Sequence, residues 1–158
     1  EQNKVKASKA MTILLGKEGS VYYYMGEPDY ENPDMVQETD FSPNGLRAIL
    51  LGRNQVVMQK IRELKQKKAN LEISNEEYLK EAAEIRKDKD SPVILIKATD
   101  FANYKNLIDV LDEMQICNIG RYAIMDITPG DLRLLQDKTH DGYADDLKEV
   151  IEYRELKQ

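Results

Sequence analysis

Few residues in this chain are suited to covalent or metal chemistry, and they stand apart from one another. The single histidine, His140, lies in "KTHDGY", and the single cysteine, Cys117, lies in "QICNIG". A catalytic nucleophile needs a base within hydrogen-bond reach, and a zinc site needs several Cys, His or carboxylate ligands together. One lone residue of each kind meets neither requirement. His140 therefore reads as a surface residue, and the chain reads as a non-enzyme with no catalytic residue, no metal and no cofactor. Asp126 closes an apolar run and could accept a phosphoryl group, as in a receiver-like fold. Such a site needs further carboxylates after an early parallel strand, and the first apolar runs here read as a hairpin instead. Asp100 and Asp126 are read as turn and capping residues.

Two other stretches suggest binding rather than catalysis. "GEPDYENPDMVQETD", from Gly26 to Asp40, holds six carboxylates and no basic residue. Hard oxygen ligands suit calcium. The EF-hand spacing, with its central Gly and terminal Glu, is missing. The stretch reads as a solvated acidic loop, with two prolines opposing regular structure. The tyrosines of "VYYYM" could stack on a ligand, but aromatic residues also make good strands.

These residues must be positioned by recognisable elements. "MTILLGKEGSVYYYM" alternates on both sides of a glycine-flanked turn and reads as an antiparallel hairpin. Val21, Tyr23 and Met25 share one face, and Tyr22 and Tyr24 the other. From Ser42 to Asp90 the pattern is mostly helical. Ser42 is placed to cap, with Pro43 at the first helical position. Leu46, Ile49 and Leu50 form one stripe, and Val57, Ile61 and Leu64 continue it past Gly52. "SNEE", from Ser74 to Glu77, is a capping box. It opens a helix whose buried side is expected to hold Tyr78, Leu79, Ala82 and Ala83. The charge runs "KQKKAN" and "RKDKD" read as solvated ends.

"SPVILIKATDFANYKNLIDVLDEMQICNIGRYAIMDI", from Ser91 to Ile127, is the most ordered-looking part. Val93 to Ile96 is a strand buried on both faces. Tyr104, Leu107, Ile108 and Leu111 have helical spacing and are expected to face the sheet. Asn118 and Gly120 end that helix, and Tyr122, Ile124 and Ile127 belong to a second strand. Strand, helix and strand at this length predict a parallel βαβ crossover. "KATDFANY" after the first strand is not a glycine-rich phosphate loop, so no nucleotide is expected. "TPGD" caps a further short helix through Leu132 and Leu135. Tyr143, Leu147, Val150 and Ile151 then share a helical face, with a short strand near Val150 to Tyr153 as the alternative. The fold class predicted is α+β: a two-layer sandwich, with a mixed sheet of about four strands and helices on one face.

The bounds agree with a soluble domain. The 158 residues are 41% hydrophobic and 33% charged, with a net charge of −6. That charge argues against nucleic acid. No apolar run approaches the roughly 20 residues of a membrane helix, and no signal peptide is visible. The start at Glu1-Gln2-Asn3, without Met, reads as a fragment or processed product.

The order of parts resembles the periplasmic domain of the ExbD/TolR family. A basic tether "EQNKVKASKA" comes first, then the "MTILLGKEGSVYYY" hairpin, then "SPVILIKATD", "YKNLIDVLDEM" and "IGRYAIMDI". The matching positions are Val93 to Ala98, Asp100, Tyr104, Leu107, Val110, Met114, Gly120 and Arg121. Thr99 between Ala98 and Asp100, the long helical region and the tail depart from the pattern. The resemblance implies residues 1–10 as a tether after a transmembrane helix and 11–135 as the domain. A helical insertion at about 53–90 and an extension at 136–158 are added to it. It also implies an accessory subunit on the periplasmic side of the bacterial inner membrane. On that resemblance the subunit is a homodimer within a pentameric ExbB/TolQ-type channel. It passes proton-motive energy to a TonB/TolA-type protein for outer-membrane transport or envelope integrity. The family's proton-carrying Asp lies in the transmembrane helix, outside this chain. Partner binding is expected by strand addition at an edge formed by Val21, Tyr22, Tyr23 and Tyr24. The reading kept beside it is a small cytoplasmic α/β ligand-binding domain or enzyme.

Overall fold

The computed structural model describes residues 9–143. Most of the tether, and the amphipathic segment expected beyond Tyr143, lie outside the described residues. Strand β1 (Met11–Leu15) turns at Lys17–Gly19 into β2 (Val21–Met25). Glu18 and Gly19 take positive φ in that turn, as its glycine chemistry predicts. The acidic stretch is not wholly irregular. It contributes a third strand, β3 (Gln37–Thr39), antiparallel to β2.

Three helices follow: α1 (Leu46–Arg53), α2 (Gln55–Ala69) and α3 (Asn75–Arg86). Ser42 does not cap α1. Asp40 takes that part instead: its side chain accepts from the Ser42 N–H, and its carbonyl accepts from the Leu46 N–H at 2.8 Å. The chain breaks at Asn54 between α1 and α2. Ser74 caps α3 by accepting from the Glu77 N–H at 3.0 Å. The buried side of α3 holds Tyr78 and Ala82, with Ile85 packing alongside. Leu79 and Ala83 point to solvent, so the expected phase is corrected.

Strand β4 (Val93–Ala98), helix α4 (Tyr104–Ile116) and strand β5 (Arg121–Asp126) form the βαβ unit. The strand order is β3-β2-β1-β4-β5, with β1, β4 and β5 mutually parallel. Helix α5 (Pro129–Thr139) closes the described fold. It starts with a capping box in which Thr128 and Asp131 satisfy each other's backbone N–H groups.

The fold is α+β with a mixed sheet, of five strands where about four were expected. Its two faces are covered differently. Met11, Ile13, Leu15, Val21, Ile94 and Ile96 pack under α1 and α4 with Leu46, Leu50, Val110, Met114 and Cys117. Leu14, Tyr22 and Tyr24 pack on the opposite face with Leu134 and Leu135 of α5 and with Tyr143. The helices thus occupy both faces, because β1 and β2 are apolar in both phases and each phase needs cover. Helices α2 and α3 form a hairpin with a separate small core of Val57, Ile61, Leu64, Tyr78 and Ala82.

The phase of α4 also differs from expectation. Its buried set is Asn106, Val110, Glu113 and Met114, while Leu107 and Leu111 are half-buried and Tyr104 is 76% exposed. Val110 and Met114 enter the main core in this rotation, and Glu113 beside them meets α1. Its carboxylate accepts two hydrogen bonds from the Arg47 guanidinium of α1, at 2.8 and 3.0 Å.

Candidate functional site: an open sheet edge

The expected edge strand is an interior one. β2 lies between β1 and β3, with Val21, Tyr22 and Tyr23 paired to Thr39, Glu38 and Gln37. Val21, Tyr22 and Tyr24 are buried and Tyr23 packs against the main core. The reason is β3, which sequence alone hid inside an acidic, proline-containing stretch.

Among the described residues the edges are β3 and β5, and they are unlike. β3 is three residues long and polar, the kind of edge that discourages further pairing. β5 is six residues long and pairs only with β4 among the described residues, from Val93↔Arg121 to Ala98↔Asp126. Its apolar side chains are open on both faces: Tyr122 is 44% exposed, Ile124 56% and Met125 47%. Neighbours in a parallel ladder share a face. Tyr122 and Ile124 therefore point to the side of Ile94 and Ile96, where α1 and α4 lie, and Met125 to the side of Lys97, where α5 lies. A long edge of this kind offers a row of unpaired N–H and C=O groups beside apolar surface.

Helix α4 extends the apolar surface. Glu113 binds α1 on one flank of α4. Tyr104, Leu107 and Leu111 lie on the other flank by the 3.6-residue period. That flank shares the α1–α4 face of the sheet with Tyr122 and Ile124, which no helix covers among the described residues. The stripe read from sequence as core is thus partly a surface feature. Its signal was present but its depth was not, since periodicity cannot tell a fully buried stripe from one at the margin of the core, where Leu107 and Leu111 pack.

The remaining candidates stand in different parts of the fold. His140 is exposed and forms the left-handed end of α5. Cys117 is buried, and that burial pushes its thiol up to about 11. Asp100 and Asp126 are exposed. Among the described residues no three His, Cys, Asp or Glu side chains group as metal ligands, and no helix is long and apolar enough to cross a membrane.

One buried polar cluster escaped sequence reading. Lys97 Nζ donates to Asp131 Oδ2 at 2.8 Å, and the Tyr24 hydroxyl donates to Asp131 Oδ1 at 2.7 Å. Asp131 is fully buried and Lys97 nearly so. Burial, with the Asp131 carboxylate beside it, raises the Tyr24 hydroxyl far above the usual phenol range. The cluster ties α5 to β2 and β4. Lys97 in an otherwise apolar strand was its only visible signal.

No curated protein and no solved structure matches the chain. A family model does: that of the biopolymer transport protein ExbD/TolR, over residues 1–126. The matched span ends at the last residue of β5, so it holds the whole sheet and leaves α5 outside. With most of the chain matched, and with the hairpin and the parallel strand–helix–strand unit both in place, the chain belongs to the ExbD/TolR family of biopolymer transport proteins.

Proposed function

We propose that this chain is the periplasmic part of an accessory subunit in a proton-motive-force-driven motor of the inner membrane. On this reading it acts by taking a partner strand at β5 and catalyses nothing. The observation that carries it is the six-residue edge with apolar side chains open on both faces. Family membership supports the wider setting: a membrane anchor upstream, an ExbB/TolQ-type channel subunit, and a TonB/TolA-type protein that receives the energy.

The first occupant proposed for β5 is a second copy of this chain. An antiparallel, two-fold pairing of β5 with itself places the axis perpendicular to the sheet and keeps the α1–α4 layers of the two copies on the same face. Residues opposite one another must then share a face. Centring the pair on Ala123 sets Tyr122 opposite Ile124 of the second copy, and brings the Tyr104–Leu107–Leu111 flanks together above them. Docking through Val21, Tyr22, Tyr23 and Tyr24 would require β3 to leave β2, so β5 is the preferred route. A segment of the TonB/TolA-type partner would use the same backbone groups or the edge left open beyond them.

Sedimentation velocity on the 158-residue chain tests this. The expected result is a concentration-dependent dimer that Ile124→Asp converts to monomer while far-UV circular dichroism is unchanged. A dimer indifferent to Ile124→Asp, or a chain monomeric at every concentration that also fails to bind a TonB-like peptide at residues 121–126, refutes the β5 reading.

A further inference from the structure

The α2–α3 hairpin carries its own small core, so its attachment to the sheet domain rests on few contacts. Those contacts converge. The Asn54 side chain, buried at the head of α2, donates to the carbonyls of Cys117 at 2.8 Å and Asn118 at 3.0 Å. Asn118 holds a left-handed φ of 55°. Its Oδ1 accepts from Arg86 Nε at 2.9 Å, and its Nδ2 reaches the Met58 sulfur at 3.3 Å. A Cβ on Gly120 would come within 2.5 Å of the Arg86 carbonyl, so the two backbones touch there. The Arg121 guanidinium donates to three carbonyls in the segment leaving α3: Lys89 at 2.7 Å, Ser91 at 3.1 Å and Asp88 at 3.2 Å. Among the described residues, every side-chain hydrogen bond from the hairpin and its flanks to another element involves Cys117, Asn118 or Arg121.

This is the segment that ends α4 and begins β5. We infer that the α2–α3 hairpin is a brace that positions the docking strand, with Asn118 and Arg121 as its positioning residues. The physical need is plain. An edge strand has a ladder on one side only, and its first residues are the ones most able to fray. Here they are gripped from both ends of the hairpin, by Asn54 and Met58 at its start and by Arg86 to Ser91 at its end. A tilt of the hairpin must carry residues 117–121 with it, so whatever seats on the hairpin is coupled to what seats on β5. The coupling is reciprocal: a strand docked on β5 steadies the segment from Arg86 to Ser91.

The inference rests on β5 being the docking strand, but its first readout does not. Amide hydrogen exchange is followed in the full chain, in Arg121→Ala and in Asn118→Gly, the latter keeping the left-handed turn while removing the side chain. Exchange at residues 121–123 should rise about tenfold in both variants, with β1 and β4 unchanged, because opening is local. Arg121→Lys should recover part of the protection. Dimerisation, or binding of a TonB-like peptide, should weaken about tenfold in parallel, and docking should slow exchange at residues 86–91. Uniform acceleration across the sheet would show mere destabilisation and overturn the inference. So would unchanged exchange at residues 121–123. If exchange responds as expected but Ile124→Asp leaves docking intact, the brace stands and the β5 reading fails.

Discussion

Replacing Asp131 with Ala should be among the most damaging single changes in the chain. The carboxylate is fully buried and accepts from Lys97 Nζ at 2.8 Å, the Tyr24 hydroxyl at 2.7 Å and the Thr128 N–H at 3.2 Å. Removing it strands the Lys97 ammonium with little access to water. Breaking a buried pair from one side typically costs about 3–5 kcal/mol. The reciprocal half of the α5 capping box, in which the Thr128 N–H donates to the Asp131 carboxylate, is lost as well, while the Thr128 side chain still caps the residue-131 N–H. For a chain of this size each kcal/mol lowers the melting temperature by about 2–4 °C, so the midpoint should fall by roughly 10 °C or more. Thermal and urea unfolding followed by circular dichroism give the number directly. Two further variants separate charge from space. Asp131→Asn keeps the volume and an acceptor for Tyr24, and should still be strongly destabilised. Lys97→Met combined with Asp131→Leu removes both charges and should recover much of the loss, because a well-packed apolar pair often equals a buried ion pair. A cost below about 1 kcal/mol for Asp131→Ala would refute the reasoning, since a cost so small would mean that Lys97 simply reaches solvent and the cluster locks nothing.

Two further outcomes follow from the packing. Met114→Ala should cost about 2–5 kcal/mol, whereas Leu107→Ala, on the half-buried flank of α4, should cost clearly less; equal losses in urea unfolding would mean that the rotation of α4 is wrong. Cys117 should resist iodoacetamide at pH 8 in the folded chain and react once unfolded, because burial raises its thiol to about 11. The sign for stability is set by the same shift. The unfolded thiol ionises first as pH rises, so this contribution is full below the ordinary thiol range and declines from there to about pH 11. Stability in Cys117→Ser that falls as steeply over that interval as in the parent chain would contradict it.

Much of this fold was legible because its signals were local. Alternation around Gly16 and Gly19 specified the hairpin, and the run Val93 to Ile96 followed by helical spacing specified the crossover. What escaped depended on distant partners. β3 has only Val36 beside it as an apolar marker, and it forms because the exposed side of β2 supplies a ladder. The second cover of the sheet could be suspected from Leu14, Tyr22 and Tyr24, which are too apolar to face water, but the sequence does not say which helix supplies it. The rotation of α4 puts Val110 and Met114 in the core and Glu113 against Arg47, partners far apart in sequence. The open edge was hidden for a different reason. "RYAIMD" is apolar in both phases, and that pattern is the same for a strand inside a sheet and for one at its edge.

The parallel run of β1, β4 and β5 has a mechanical consequence. A tension applied between the chain entering β1 at Met11 and a strand held on β5 would cross two ladders, one from Met11↔Ile94 to Leu15↔Ala98 and one from Val93↔Arg121 to Ala98↔Asp126. Both lie along the pull, so their hydrogen bonds are loaded in shear and share the stress together. A pull across the strands would instead open them one rung at a time. The sheet is therefore oriented as a tension member, stiff along the line that joins its entry at β1 to its β5 edge.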